Sequence, residues 1–314
     1  MMPIIAVHAG AGRARFDEDE LIQYRTGIRD AVLNGLKALR TGNSIDAVVE
    51  AVSTLEANPV NDAGVGSVFN IAGEVEVDAG LMAGSTMKIG AVASVRHVAN
   101  PIRLAKYVMD NTDHVLIVGN GAEELAKLTG LWVPDFVFIN EKKVNRYKAM
   151  LKDAMVGGSP YRMVFNLAKE AGLMDTVGAV SLDSEGNLAA ATSTGGVWLK
   201  WRGRVGDSPI PGAGYWADKL CAFSATGLGE IIIRHMASMR AAMLIKEGKD
   251  IITSINEVVN SASRDFGQGT IGLLGIDAKG NIHAGFNTEM MGRGYMRLDM
   301  REPMIAIYAS EPFP

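Results

Sequence analysis

The sequence predicts an α+β fold in which β-sheets are covered by layers of helices. Two similar segments, residues 176–194 and 270–288, both have the pattern of a β-hairpin, and two long helical segments, 229–248 and 251–264, lie between them. The hairpin strands are mostly apolar, which is typical of a sheet buried on both faces. Such sheets need helices to cover them, and the helical segments supply that cover.

The start of the chain predicts one strand and two helices. Residues 3–8 are apolar and predict a buried strand. Asp17 is a favourable N-cap for a helix that stops at Gly42. A second helix follows directly, capped by Asn43 or Ser44, and its apolar residues recur at the spacing of one buried face.

The next part of the chain alternates short strands with short helices. Strand patterns lie at residues 67–70, 74–78, 88–95 and 114–118, and helical patterns lie at 101–110 and 122–128. Residues 132–158 carry clustered charges and little periodicity. We therefore expect a mobile, exposed connection in that last segment.

The two hairpins match each other position for position at an offset of 94 residues. Each has an apolar strand, an Asp-x-x-Gly-Asn turn and a return strand. Thr176 matches Thr270 and Thr194 matches Thr288. A hairpin that begins with threonine is therefore no sign of chemistry by itself, and Thr270 serves as an internal control for Thr176.

The composition excludes several classes of protein. The 314 residues, 48% of them hydrophobic, suffice for one large domain or two small ones. The net charge of -4 gives no basic surface for nucleic acid or an anionic membrane, so we expect a small-molecule or peptide partner. Cys221 is the only cysteine and has apolar neighbours, which predicts a reduced core thiol. With no targeting segment and no apolar stretch that could span a membrane, we expect a cytoplasmic protein.

Several common catalytic motifs are missing from the sequence. It has no G-x-S-x-G, H-E-x-x-H or phosphate-loop motif and no paired cysteines, and its five histidines are isolated. Threonine, serine and glycine are instead concentrated at residues 176, 192–196 and 224–229. An N-terminal threonine can use its own α-amine, with a usual pKa of about 7.7 to 8.0, as the base for its hydroxyl. The residues alone do not single out one threonine.

Six motifs follow each other in a characteristic order: VHAGAG (7–12), LEANPVNDAGVGSV (55–68), DTVGAV (175–180), TSTGG (192–196), GRVGDSP (203–209) and SATGLGE (224–230). They resemble the plant-type L-asparaginase and isoaspartyl aminopeptidase family of N-terminal-nucleophile hydrolases. The resemblance spans nearly the whole chain and is weakest over residues 132–174. It implies a single domain with a four-layered αββα sandwich, assembled as a homodimer of αβ units.

The resemblance implies that Thr176 is the nucleophile and that the chain cuts itself after Asp175. The products would be an α chain of residues 1–175 and a β chain of residues 176–314. Thr194 would orient the nucleophile, and Thr226 with the backbone N–H of Gly227 would form the oxyanion hole. On the residues alone, Thr194 could equally pack within a strand, and Thr226 could cap a helix.

The resemblance also assigns substrate-binding residues. Arg204 and Asp207 would bind the α-carboxylate and α-ammonium of an aspartyl substrate. Gly227 and Gly229 would let the backbone approach that head group. Without the resemblance, the two charges would be interpreted as a surface ion pair, worth at most about 1 kcal/mol.

No cofactor is expected to be required, but the resemblance implies a structural sodium ion. The segment 55–65 matches the loop in which backbone carbonyls hold this ion in the family, and hard oxygen ligands suit an alkali cation. A plain loop with proline and glycine explains the segment nearly as well. The candidate ligands are Leu55, Glu56, Asn58, Asn61, Ala63 and Val65.

Five positions depart from the family pattern: Ala9, Asn61, Asp62, Tyr215 and Trp216. Ala9 stands where the family usually has glycine, and Asp62 stands where it usually has an asparagine close to the nucleophile. A carboxylate near the Thr176 amine would favour the protonated amine, which cannot act as a base. We therefore expect a more alkaline activity optimum or a slower turnover than is usual in the family.

These observations together predict a self-cleaving threonine amidohydrolase. It would release ammonia from L-asparagine, amino acids from β-aspartyl dipeptides, or both, through a covalent β-aspartyl ester. Asp175 before the nucleophile also suits a glycosylasparaginase-like amidase, although VHAGAG favours the asparaginase branch. Ala9 and Asp62 leave a third alternative, an amino-acid-binding homologue that never matures.

Overall fold

The computed structural model describes residues 1–13, 16–156 and 176–314. Within these ranges the protein is a mixed α/β structure with two β-sheets, of eight and four strands. The predicted combination of helices and sheets is confirmed. The strands are β1 (Ile4–Gly12), β2 (Val77–Ala83), β3 (Ile89–Val95), β4 (Leu116–Val118), β5 (Val177–Leu182), β6 (Leu188–Thr194), β7 (Tyr215–Ala217), β8 (Cys221–Gly227), β9 (Ile271–Asp277), β10 (Ile282–Phe286), β11 (Met290–Arg297) and β12 (Met304–Tyr308).

The helices lie between and around these strands. They are α1 (Glu18–Thr41), α2 (Ser44–Glu56), α3 (Pro101–Asn111), α4 (Gly119–Leu128), α5 (Glu141–Val156), α6 (Gly229–His235), α7 (Ala237–Lys246) and α8 (Ile251–Phe266). Two 3-10 turns, Gly64–Gly66 and Asp135–Phe138, complete the regular structure of the described residues.

The larger sheet has the strand order β12-β11-β1-β5-β6-β2-β3-β4, and the smaller sheet has the order β10-β9-β8-β7. All neighbouring strands are antiparallel except the pair β3 and β4, which is parallel. The two matched hairpins, β5 with β6 and β9 with β10, are confirmed as hairpins. They belong to different sheets, which the sequence did not reveal.

Helices cover both sheets, and the two sheets pack against each other. Helices α1, α2 and α3 contact the larger sheet, while α7 and α8 contact the smaller one. The strands β5 and β6 contact β8 of the other sheet, so the two sheets also face each other. An apolar cluster fills the space between the sheets and includes Ile4, Val180, Leu188, Tyr215, Leu274 and Ile276.

Local capping explains the first two helices. The Asp17 side chain accepts a hydrogen bond from the backbone N–H of Glu20, and the Glu20 side chain accepts one from the backbone N–H of Asp17, which makes a capping box. The Asn43 side chain caps α2 by accepting from the backbone of Asp46. Both predicted helix starts and the stop at Gly42 are confirmed.

At residues 132–158 we expected a mobile, exposed connection; the described part is mostly exposed, but it has regular structure instead of an irregular connection. Residues 135–138 form a 3-10 turn and residues 141–156 form α5, while residues 157–158 lie outside the described ranges. The Asn140 side chain accepts a hydrogen bond from the backbone of Lys143 and so caps α5. Phe138 and Lys143 are both buried. The clustered charges of this segment gave no sign that it forms a helix with one buried lysine.

Two other expectations need correction. Residues 67–70 form no strand, because the Asn70 side chain accepts hydrogen bonds from the backbones of Ala72 and Glu74 and closes a turn. The predicted helix 229–248 is divided at Met236, which has a φ of 50°. There the carbonyl of Ala213 accepts hydrogen bonds from both the backbone and the hydroxyl of Ser238, so the chain turns toward that loop.

Candidate active site

The hairpin of β5 and β6 brings two threonine hydroxyls together. Thr176 lies directly before β5, and Thr194 is the last residue of β6. The Thr176 Oγ1 donates a hydrogen bond of 3.2 Å to the Thr194 Oγ1, which also accepts from the backbone N–H of Gly196 at 2.9 Å. Both threonines are buried. The predicted partnership is present in the geometry, whereas Asp175, the other side of the predicted cut, lies outside the described residues.

A buried polar network lies two residues further along β5. The His8 Nε2 and the Ser224 Oγ are 2.8 Å apart, and the Thr192 Oγ1 is 2.9 Å from the same Ser224 oxygen. A Cβ at Gly178 would lie 2.0 Å from the Ser224 Oγ, so only glycine fits there. Burial lowers the pKa of His8 to about 3, so its ring is neutral and positions the hydroxyls without carrying charge.

Sequence reasoning treated His8 as one isolated histidine among five. The signal that could have found it is its place in the VHAGAG motif, on the strand that pairs with β5. The neighbouring Ala9 is buried, and its carbonyl accepts a hydrogen bond of 2.8 Å from the Tyr24 hydroxyl. The left-handed φ of 110° falls on Gly10, so Ala9 itself needs no glycine-like backbone.

The candidate oxyanion residues lie on β8. Side chains two residues apart in a strand share a face, so Thr226 lies on the same face as Ser224, whose hydroxyl adjoins Gly178 of β5 and donates to the carbonyl of Ala191 on β6. The Thr226 Oγ1 is buried and has no hydrogen-bond partner among the described residues. Gly227 has a φ of 130°, and a Cβ there would lie 2.3 Å from the carbonyl oxygen of Thr270. An unpaired buried hydroxyl is costly in a folded protein unless a ligand uses it.

The predicted head-group residues lie together in the loop before β7. A Cβ at Gly229 would lie 2.9 Å from the Arg204 Nη2 and 3.1 Å from the Asp207 Oδ1, so both side chains border the same small space. The Arg204 Nε and Nη2 each donate a 2.8 Å hydrogen bond to the carboxylate of Glu230. The guanidinium end formed by Nη1 and Nη2 therefore remains directed at Gly206 and Gly229.

Glu230 is a residue that sequence reasoning missed. It is the last residue of the SATGLGE motif and binds one edge of the Arg204 guanidinium, while only 14% of the Arg204 side chain is exposed. The pair is thus no freely exposed surface ion pair. Glu230 fixes the Arg204 guanidinium in one orientation, so that the other edge of the guanidinium can bind a carboxylate ligand.

Asp207 has an unusual electrostatic environment. It is buried, and its Oδ2 has no hydrogen-bond partner among the described residues. Burial raises the pKa of this carboxyl to about 7, although the Arg204 charge opposes the shift. A ligand ammonium placed beside Asp207 would stabilise its ionised form and supply the missing partner.

Asp78 and Lys200 connect the threonine pair to the head-group loop. Asp78 pairs with Thr194 in the sheet, and its Oδ2 accepts a 3.4 Å hydrogen bond from the backbone of Gly206. Lys200 is fully buried and donates to the carbonyl of Glu76 at 2.7 Å. Burial lowers the pKa of Lys200, and the Asp78 charge opposes that shift. Neither residue was singled out from the sequence.

Asp62 lies next to the TSTGG segment. Its Oδ1 accepts a 3.0 Å hydrogen bond from the backbone of Val68, and its carbonyl accepts from the backbone of Gly195 at 2.9 Å. A Cβ at Gly195 would lie 2.2 Å from the Asp62 Oδ1. The carboxylate therefore adjoins the residue that follows Thr194. Its effect on the Thr176 amine stays a prediction.

Comparisons with known proteins identify relatives of this chain. The sequence model of a family described as asparaginase matches residues 1–305. A plant-type L-asparaginase from Pyrobaculum calidifontis is 46% identical over 295 residues, which is 94% of this chain and 97% of the relative. A plant-type L-asparaginase from Pyrococcus horikoshii is 42% identical, over 96% and 99% of the two chains. An isoaspartyl peptidase from Escherichia coli is 40% identical, over 93% and 92%.

The two-sheet α/β structure and these matches define the protein as a hydrolase. More narrowly, the chain belongs to the asparaginase family that includes plant-type L-asparaginases and isoaspartyl peptidases. The family resemblance predicted from the six motifs is thereby confirmed. Separately, none of the helices in the described ranges combines the length and the apolar composition needed to cross a membrane.

Proposed function

We propose that the protein is a self-cleaving threonine amidohydrolase that acts on L-asparagine, on β-aspartyl dipeptides, or on both. The observation that carries the proposal is the hydrogen bond between the Thr176 and Thr194 hydroxyls, with a Thr226 hydroxyl on the facing strand that has no partner within the described part of the chain. The names of the relatives, L-asparaginase and isoaspartyl peptidase, supply the substrate classes.

Maturation would begin with the Thr176 hydroxyl. Its oxygen attacks the carbonyl carbon of Asp175, the peptide nitrogen of Thr176 leaves with a proton, and water then hydrolyses the ester that links the two residues. The products are the chains 1–175 and 176–314. The new α-amine of Thr176 has a usual pKa of about 7.7 to 8.0 and can accept the hydroxyl proton near neutral pH.

The amidase reaction would use the same hydroxyl. The Thr176 Oγ1 attacks the side-chain amide carbon of the substrate while the α-amine takes its proton, and the oxyanion is stabilised by the Thr226 hydroxyl and the Gly227 N–H. The protonated amine then gives its proton to the leaving nitrogen, which departs as ammonia or as an amino acid. Water, deprotonated by the same amine, hydrolyses the β-aspartyl ester. No step needs the sodium ion predicted from the sequence.

Binding would place the amino-acid head group between Arg204 and Asp207. The Nη1 and Nη2 end of Arg204, which faces Gly206 and Gly229, suits the α-carboxylate, and the buried Asp207 carboxylate suits the α-ammonium. Gly229 leaves the room that this head group needs. Substrates that lack a free α-amine would leave Asp207 without its partner and bind poorly.

The architecture would be the four-layered αββα sandwich predicted from the resemblance. Support comes from the contacts of α1 to α3 with the larger sheet, of the two sheets with each other, and of α7 and α8 with the smaller sheet. A single domain, assembly as a homodimer of αβ units and a cytoplasmic location remain parts of the same proposal.

A denaturing gel tests the maturation step. Purified protein should resolve into chains of 175 and 139 residues, and Thr176→Ala should stay as one band near 33.4 kDa. Thr270→Ala is the matched control, because Thr270 holds the same position in the other hairpin and should leave cleavage intact. A persistent single band in the unmodified protein would contradict self-cleavage and favour a non-maturing binding protein.

The substrate class needs a second assay. Release of ammonia from L-asparagine, of amino acid from β-aspartyl dipeptides, and of sugar from glycosylasparagine should be measured side by side with the mature protein. We expect activity on the first or second substrate. Predominant activity on glycosylasparagine would replace the proposal with a glycosylasparaginase-like amidase.

A further inference from the structure

The buried lysine of α5 makes an unusual set of contacts. The Lys143 side-chain nitrogen donates hydrogen bonds to the backbone carbonyls of Val65 at 3.1 Å, Ser67 at 2.8 Å and Phe138 at 2.6 Å. An ammonium has three protons, and each of them has a carbonyl partner here. A cluster of backbone carbonyls around one positive charge is the environment that an alkali-metal ion would also require.

One of these carbonyls, that of Val65, belongs to the 55–65 loop for which the family resemblance implied a sodium ion, and that of Ser67 lies two residues beyond it. Within that loop, the Leu55 carbonyl accepts from the Asn61 side chain at 2.9 Å, and the Asn58 carbonyl accepts from the Asn61 backbone at 3.1 Å. The Ala63 carbonyl accepts from the backbone of Gly66 at 3.1 Å. The Val65 carbonyl is bound by Lys143. Four of the six candidate ligands are therefore already engaged.

An ion bound to the Val65 carbonyl would lie close to the Lys143 ammonium. At a separation of about 5 Å and an effective dielectric constant of about 20, the repulsion of two unit charges weakens sodium binding by more than about a hundredfold. A carbonyl that accepts one hydrogen bond keeps a second lone pair, so it is the Lys143 charge beside Val65 that makes this loop, as folded, a poor site for a sodium ion.

We propose that the Lys143 ammonium is the built-in cation of the 55–68 loop and takes the place of an alkali-metal ion there. It fastens the loop to α5 and thereby positions Asp62 against Gly195, next to the threonine pair. Lys143 is thus a positioning residue for the site, and the inference concerns the loop whether or not the proposed chemistry at Thr176 is correct.

Electrostatics supports the same assignment. The negative charge of Asp62 favours the ammonium form of Lys143. The negative charge of Asp62 and the positive charge of the buried Lys143 then compensate each other. A neutral asparagine at position 62 would need no such countercharge.

The test compares Lys143→Met with Lys142→Met. Lys142 is the neighbouring residue of α5, but it is exposed and pairs with Asp17 and Glu20 on α1, so its replacement removes the same charge from the same helix without touching the loop. Melting temperatures are measured in sodium chloride and in choline chloride at equal concentration. Choline is too large to enter the carbonyl cluster and controls for ionic strength.

For the unmodified protein and for Lys142→Met, we expect the melting temperature of each protein to be the same in sodium chloride as in choline chloride. Lys143→Met should melt about 5 °C or more lower than the unmodified protein in choline chloride, because three hydrogen bonds from a charged donor are lost. Sodium should restore part of that loss, because the vacated carbonyls can then bind the ion. A general loss of packing would show no such selectivity for sodium.

Two outcomes would overturn the proposal. One is a saturable rise of the melting temperature with sodium in the unmodified protein, which would place an alkali-metal ion in the loop beside Lys143. The other is a Lys143→Met protein as stable as the unmodified one in choline chloride. Because the first measurement uses the unmodified protein, it decides the question even where Lys143→Met fails to fold.

Discussion

The proposed role of Asp207 predicts that kcat/KM depends on the ionisation of this carboxyl only for substrates that carry an α-ammonium. Burial raises the pKa of this carboxyl to about 7, so in the free protein it is largely protonated at pH 6 and largely ionised at pH 8. Only the ionised form attracts the α-ammonium of asparagine. With a pKa of about 7, the ionised fraction changes about tenfold between these pH values, and kcat/KM for asparagine should rise with pH by the same factor.

The α-amine of Thr176 titrates in a neighbouring range, so the assay must separate the two groups. Succinamate, which is asparagine without the α-amino group, uses the same nucleophile and base but has no ammonium for Asp207. The ratio of kcat/KM for asparagine to kcat/KM for succinamate therefore cancels the titration of the amine. This ratio should rise about tenfold from pH 6 to pH 8.

Asp207→Asn provides the matched control. The variant keeps the shape of the side chain but cannot ionise, so its ratio should be low and independent of pH. A flat ratio in the unmodified protein, or an equal rise in Asp207→Asn, would refute the assignment of Asp207 to the ammonium.

Three further variants probe the site. Thr226→Val removes a buried hydroxyl that has no partner among the described residues. We expect kcat to fall about a hundred to a thousand-fold while the melting temperature stays nearly constant. An unchanged kcat would exclude Thr226 from the oxyanion hole. Asp62→Asn should move the pH optimum of activity downward by up to about one unit, because it removes a charge that favours the protonated amine; an identical pH profile would contradict this. Gly229→Ala places a methyl group 2.9 Å from the Arg204 Nη2 and should raise KM for asparagine about tenfold. Gly121→Ala, whose new Cβ has its nearest neighbour at 3.5 Å, should leave KM unchanged.

Features that depend on nearby residues were predictable from the sequence. The capping box at Asp17, the stop at Gly42 and the two hairpin turns are each specified within a few residues, and the structure has all of them. The threonine pair was predictable only through the family motifs, because nothing in the local pattern separates Thr176 from Thr270. Pairing of β5 with β6 then brings Thr176 to Thr194.

Features that depend on distant residues were not predictable. Lys143 is buried because carbonyls 76 and 78 residues away in the sequence accept hydrogen bonds from its ammonium group, and no local sequence pattern indicates that arrangement. Glu230 belongs to the site because it lies 26 residues beyond Arg204 and takes one edge of the guanidinium. The break at Met236 similarly arises from a contact with the loop at Ala213. In each case a tertiary contact overrides the local pattern.

The strand order of the larger sheet has a consequence for how the protein would come apart. Strands from the two sides of residue 175 alternate in it, with β1 between β11 and β5, and β2 beside β6. A cut after Asp175 would leave two polypeptides that separate only when three rows of strand pairing break together. Unfolding would then release two particles from one, so its midpoint would rise with protein concentration, as it does for a dimer. Regaining the native state after dilution would require two chains to find each other, whereas the uncut chain can refold alone.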